Sequence, residues 1–153
     1  MKVEEMLETF NLKLPATPKP VGAYVPAVRS GNLVFLAGQI PTREGKPLVT
    51  GKLGAELTTD GVADAVRVAV LNGLAALKAE IGDLDRVVRV VRMVGYVASA
   101  PGFTDQAAVL NHASKLLLAA FAEKGRHARV AVGVAELPLS VPIELEMTFE
   151  VQK

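Results

Sequence analysis

Hydrophobic and polar residues alternate strictly from position 143 to the end of the run at 151. Ile143, Leu145, Met147, Phe149 and Val151 fall on one side, and Glu144, Glu146, Thr148 and Glu150 on the other. A period of two over nine residues predicts a strand with one buried face. A second alternating run precedes it, with Val130, Val132 and Val134 in one row and Arg129, Ala131, Gly133 and Ala135 in the other. Pairing the two runs as a hairpin around Leu139-Ser140 puts the bulky apolar rows together on the core side, because burying them is the main driving force. Arg129 then shares the opposite face with the glutamates, above a floor of alanine and glycine. Such a face suits a small charged ligand, and it also fits a solvated sheet surface. In that hairpin Ala135 lies opposite Glu144 and Arg129 lies about six residues further on, roughly 20 Å away. One subunit would then be unable to bring both side chains to one small ligand.

The rest of the chain punctuates well. Residues 3–10 predict a short helix with Met6, Leu7 and Phe10 on one side, ended by the prolines at 15, 18 and 20. Tyr24–Arg29 and Leu33–Ala37 predict a hairpin around Ser30-Gly31-Asn32, followed by a loop from Pro41 to Lys52. A long helix capped by Thr58 or Thr59 is predicted to run to about Ile81. Its apolar stripe is Val62, Val66, Ala69, Val70, Leu74, Leu77 and Ile81. Val87–Val97 reads as a strand, in which Arg86, Arg89 and Arg92 would alternate faces. Phe103–Ala122 reads as a second long helix, with Ala107, Leu110, Ser114, Leu117 and Phe121 inward. The order β-β-α-β-α-β-β predicts an α+β fold, a mixed sheet with two long helices packed on one face. Residues 1–153 are expected to form one domain, with 1–20 as an N-terminal helix and Pro-rich arm.

Composition narrows the function classes. The 153 residues are 50% hydrophobic with mean hydropathy +0.33, more apolar than a monomer of this size needs, which predicts a buried subunit interface. A net charge of +1 makes no case for nucleic acid or an anionic membrane. With no cysteine, disulfides, thiolate catalysis and cysteine metal sites are out. The acidic, amphipathic start MKVEEMLETF is unlike a signal peptide. The longest apolar run, Val68–Leu77, is too short to span a bilayer. A soluble, cytoplasmic protein is expected. His112 and His127 are the only histidines and lack ligand spacing, so no metal site is expected. No nucleophile elbow, P-loop or dinucleotide fingerprint is present.

Four blocks carry a resemblance: GAYVPAV (22–28), LVFLAGQIP (33–41), GRHARVAVGVAELPL (125–139) and VPIELEMTFEV (141–151). In order and spacing they resemble the Rid family of YjgF-type reactive-intermediate deaminases, some of which are labelled L-PSP endoribonucleases or translation inhibitors. The resemblance implies a chorismate-mutase-like α+β fold and a homotrimer with clefts between subunits. It further implies cofactor-independent hydrolysis of 2-imino acids and enamines to keto acids and ammonia. By the same likeness Arg129 corresponds to the carboxylate-binding arginine, a fork that suits a planar carboxylate. Glu144 corresponds to the acid that positions water and moves its proton. Tyr24 corresponds to a pocket-wall tyrosine, and Gly38 to a point of close backbone approach. Ala131 joins the substrate-binding set through its backbone. Two departures stand out: Ala37 and Val130-Ala131 occupy positions where deaminases of the family carry Ser and Ser-Cys. A carboxylate-binding or regulatory protein that does no chemistry is therefore the alternative. An endoribonuclease has the least support, given the near-neutral charge.

Overall fold

The computed structural model describes residues 2–20 and 22–153; Met1 of the predicted N-terminal segment and Val21 of the predicted arm lie outside them. Helix α1 (Val3–Thr9) precedes strands β1 (Ala27–Ser30) and β2 (Leu33–Leu36) and a small hairpin, β3 (Thr42–Arg43) with β4 (Lys46–Pro47). Then come α2 (Ala63–Ile81), β5 (Val87–Ala98), α3 (Gln106–Phe121), β6 (Ala128–Val134) and β7 (Ile143–Val151). The main sheet has the order β1-β2-β7-β5-β6, antiparallel except for the parallel pair β5–β6.

Helices α2 and α3 cover one face of this sheet. The predicted α2 stripe is buried throughout, from Val62 to Ile81. Along β7, Ile143, Leu145, Met147, Phe149 and Val151 are all buried, as their alternation requires. Phe149 meets Phe121 of α3 with ring centroids 6.2 Å apart in a tilted arrangement. Gly95 lets α3 come down on β5, since a side chain there would run into Leu110. Helix α2 begins at Ala63, later than expected, and Val62 precedes it without a side-chain cap. The Thr58 hydroxyl instead accepts from Gly61 N–H (3.0 Å), closing a turn before the helix. In α3 the inward set is Val109, Leu110, Ala113, Leu116, Leu117, Ala120 and Phe121, while Ala107 is exposed and Ser114 half-buried.

The expected β6–β7 hairpin does not form. Strand β5 lies between them, and the connection through Ala135–Pro142 crosses its end, where Ser99 N–H donates to Val134 O and Ala98 N–H to Pro142 O. Leu139 and Ser140 both adopt left-handed backbone angles in that crossing (φ 57° and 58°). This arrangement inverts the expected face of β6. Arg129, Ala131 and Gly133 are in register with Met93, Gly95 and Val97, on the helix side. Val130 and Val132 stand beside Val94 and Tyr96 on the open face, together with Glu146 and Glu144. A partner strand's register decides parity, and β6 has only β5 to follow.

The arginines of the β5 region also depart from expectation. Arg86 precedes the strand in a short 3₁₀ turn, where its guanidinium donates to the carbonyls of Ile81 and Lys153 (both 2.9 Å). Arg89 and Arg92 pair with Glu150 and Thr148 across a register shift between Val90 and Arg92, and so share the open face. The extra residue of such an irregularity restores a parity that strict alternation would break. No helix among the described residues is long and apolar enough to cross a membrane.

Candidate active site

Glu144 sits one residue inside the start of β7, half-buried on the open face. Its carboxylate lies directly over Gly38, so closely that a side chain at 38 would occupy the place of Oε2. The backbone holds this contact. Gln39 N–H donates to Leu145 O (2.8 Å) and Leu145 N–H to Gln39 O (2.9 Å), locking the segment after β2 against the strand that carries Glu144. Buried Asn72 of α2 pins the next turn, its amide donating to the carbonyls of Ile40 (3.1 Å) and Thr42 (3.0 Å). Gln39 is itself buried and donates to Ala37 O (3.2 Å).

Burial raises the Glu144 carboxyl above its ordinary value of 4.5, and the charge of Glu146 on the same strand pushes it further in that direction. Among the described residues no hydrogen bond or ion pair reaches the Glu144 carboxylate. Glu146 instead accepts from the Tyr96 hydroxyl at 3.0 Å, a bond that raises the phenol above its usual range. Tyr24 lies in an exposed bend ahead of β1. It is two residues before Pro26, whose carbonyl accepts from Ala37 N–H (2.9 Å), and so belongs to the same end of the hairpin as Gly38.

Arg129 stands on the other side of the sheet. Its Nη1 donates to Asn111 Oδ1 (2.8 Å) and Ser114 Oγ (3.1 Å), both on α3. Ser114 Oγ is 2.9 Å from His127 Nε2, and His127 Nδ1 is 2.7 Å from Gly125 O. Arg129, Ser114 and His127 face an open hollow of about 690 Å³, with Leu118 and Ala122 as apolar wall and the ion pair Arg126–Glu123 (3.4 Å) at its rim. Ala131, two residues along β6, packs against the core below the helices. The Ala/Gly row therefore forms no floor shared with the glutamates. Val130, the other departure from the deaminase pattern, points to the open face, away from Arg129.

Gly38 and Glu144 are thus in contact, Tyr24 belongs to the same end of the β1–β2 hairpin, and Arg129 with Ala131 lies apart. Two strand spacings and three residues of register separate Arg129 from Glu144, about 14 Å between backbones. The sheet itself stands between them. The expected separation within one subunit holds, but its cause is opposite faces rather than distance along a hairpin. Asn111, Ser114 and His127 were not expected at this place. Their signal was the i, i+3 spacing of Asn111 and Ser114, which puts both on one helix face. Asn72 had a plainer signal, a lone amide within an apolar helical run.

Known proteins bear on this geometry. The family described as "YjgF/chorismate mutase-like, putative endoribonuclease" matches residues 4–148. The chain belongs to this YjgF/Rid family. Protein TCP17 of Trypanosoma cruzi is 44% identical over 97% of this chain and 94% of its own length. A 2-iminobutanoate/2-iminopropanoate deaminase of Dermatophagoides farinae is 30% identical over 88% of this chain and 91% of its own. A crystal structure of a protein of unknown function from Agrobacterium tumefaciens superposes with a TM-score of 0.89 at 38% identity, covering 97% of this chain and 91% of that one. The YjgF architecture accounts for the mixed sheet with two helices on one face.

Within that family frame Gly38 has a definite steric task. Gly38→Ala is expected to displace the Glu144 carboxylate, and in the imino-acid hydrolysis proposed below to lower kcat about tenfold to a hundredfold. Gly38 is exposed and the clashing group is the end of a flexible side chain, so the melting temperature is expected to shift by only about 2 °C. Steady-state kinetics alongside a thermal melt separates the two effects.

Proposed function

We propose that the protein hydrolyses 2-imino acids, and their enamine tautomers, to 2-keto acids and ammonia in a cleft built by two subunits of a homotrimer. The observation that carries this reading is the Glu144 carboxylate, half-buried against Gly38 and raised in pKa. A carboxylate of raised basicity is a better proton acceptor at neutral pH. The identity to an imine deaminase supports the reaction class.

Arg129 of one subunit binds the substrate carboxylate, and Glu144 of another activates water. The substrate reacts as its iminium: water oxygen adds to the C=N carbon while one water proton passes to Glu144, giving a neutral carbinolamine. The carbinolamine then collapses: Glu144 returns its proton to nitrogen, the hydroxyl proton passes to Glu144 as the C=O bond forms, the C–N bond breaks and ammonia leaves. No cofactor is required for these steps. Tyr24 walls the cleft, and the Ala131 backbone lines it beyond Arg129. The trimer covers the open sheet face, where Val28, Phe35, Val130 and Val132 are between 39% and 53% exposed. Burying such a surface is favourable at about 25 cal/mol per Å².

The test is release of 2-oxobutanoate from freshly generated 2-iminobutanoate, with sedimentation to count subunits. A rate equal to buffer across several imino acids would sink the enzymatic reading. A sedimenting monomer would remove the two-subunit site. Ala37, Val130 and Ala131 favour a second reading, carboxylate binding without turnover, because no hydroxyl or thiol stands at those positions. Calorimetry showing keto-acid binding by a protein without turnover would select it.

A further inference from the structure

We infer that Ser114 and His127 are positioning residues that hold the Arg129 guanidinium in one orientation through a one-way chain of donated hydrogen bonds. For a neutral His127 ring the donor direction follows from which groups can donate. A backbone carbonyl only accepts, so the 2.7 Å contact between His127 Nδ1 and Gly125 O requires the proton on Nδ1. A neutral imidazole then has a bare Nε2, which accepts the Ser114 hydroxyl proton across 2.9 Å. The Ser114 oxygen keeps its lone pairs for Arg129 Nη1 at 3.1 Å, and an arginine only donates. Each member gives to the next: Arg129 to Ser114, Ser114 to His127, His127 to Gly125. Asn111 Oδ1 holds the same Nη1 from the other side at 2.8 Å.

Both protein contacts use Nη1, and among the described residues no other bond engages the guanidinium. The Nε–Nη2 edge is therefore left to a ligand, and that edge presents two parallel donors to a carboxylate. A fork held by one nitrogen and two acceptors loses little freedom on binding, which is how neighbouring groups raise affinity without touching the ligand. The inference rests on the reading of Arg129 as the carboxylate-binding residue. It adds which residues aim the guanidinium, and which edge they leave open.

Nitrogen-15 NMR of the wild-type protein reads the His127 tautomer directly, whatever any variant does to folding. The expected result is a protonated Nδ1 and a bare Nε2; a proton on Nε2 of the neutral ring overturns the chain. Kinetics with 2-iminobutanoate then tests its consequence. Ser114→Ala and His127→Ala are each expected to raise KM about tenfold with kcat within about twofold. His127→Gln, whose Oε1 can accept the Ser114 proton, is expected to recover most of the loss. Unchanged KM in the alanine variants, or a glutamine variant no better than alanine at equal melting temperature, overturns the proposal. A wild type without turnover sinks the deaminase reading alone, and the same variants are then compared by calorimetric Kd for 2-oxobutanoate. A wild type that binds no 2-oxobutanoate either would overturn the positioning role too.

Discussion

Arg129→Ala is expected to lower kcat/KM for 2-iminobutanoate by about a hundredfold or more, mostly through KM, with the fold intact. The size follows from what is lost, a charge-assisted pair of hydrogen bonds to a carboxylate, each roughly twice as strong as a neutral one. The small stability cost follows from where the side chain sits. Arg129 is half-buried at the edge strand, and its acceptors on α3 are an exposed Asn111 and a half-buried Ser114. Water can replace the guanidinium at both, so a change within about 1 kcal/mol is expected. Arg129→Lys keeps the charge and loses the fork, and is expected to recover only part of the activity. Kinetics of both variants with circular-dichroism melts decides the matter. An unchanged kcat/KM in the alanine variant would remove Arg129 from the site.

Glu144→Gln is expected to reduce kcat by about 10²- to 10⁴-fold, the usual contribution of a positioned acid–base group, while making the protein more stable at neutral pH. Opposite effects on turnover and stability mark a group held in an unfavourable state for use. The folded protein binds this proton more tightly than the unfolded chain, because burial first and Glu146 second disfavour the charge. Ionising Glu144 therefore costs stability. That cost is absent below the ordinary carboxylate value of 4.5 and grows as pH rises through the raised one. Glutamine carries no charge and avoids it. The variant should melt higher than wild type at pH 8, with the gap closing towards pH 4. Wild-type kcat/KM should fall on the acid side with an inflection above 4.5, an inflection that the variant lacks. A variant melting below wild type at pH 8 would mean that Glu144 is a structural carboxylate.

Most elements were legible because they repeat a period. The nine residues of β7 show a strict alternation, and their buried row is the one the alternation names. The α2 stripe from Val62 to Ile81 is buried along its whole length. The turn at Gly31-Asn32 lies between β1 and β2, with Gly31 at φ 60°. Capping was less legible, since two threonines could each close a turn and the helix began four residues after the second. Phe10, expected on the inner side of α1, is 53% exposed, while Val3 and Leu7 carry the packing.

The candidate site divides along the same line. Gly38 and Glu144 belong to segments joined by the backbone pair Gln39–Leu145, and their proximity is a matter of sheet pairing that no local pattern reports. The alternation of β6 predicts the opposite face for Arg129 for a definable reason. A row of three valines argues for the core only if a single face of the sheet is apolar. Here the open face also carries Val28, Phe35, Val130 and Val132, so side-chain bulk does not discriminate between the faces.

Local chemistry alone thus determined the main elements, the buried rows of α2 and of β7, and the residue types able to bind a carboxylate or move a proton. Those properties depend on neighbours a few positions away. The sheet order, the insertion of β5 between β6 and β7, the side on which Arg129 emerges and the Asn111–Ser114–His127 cradle that holds it were decided by tertiary structure. Each depends on which strand lies beside which, and a register set by a partner 36 residues away leaves no trace in the period of the strand itself.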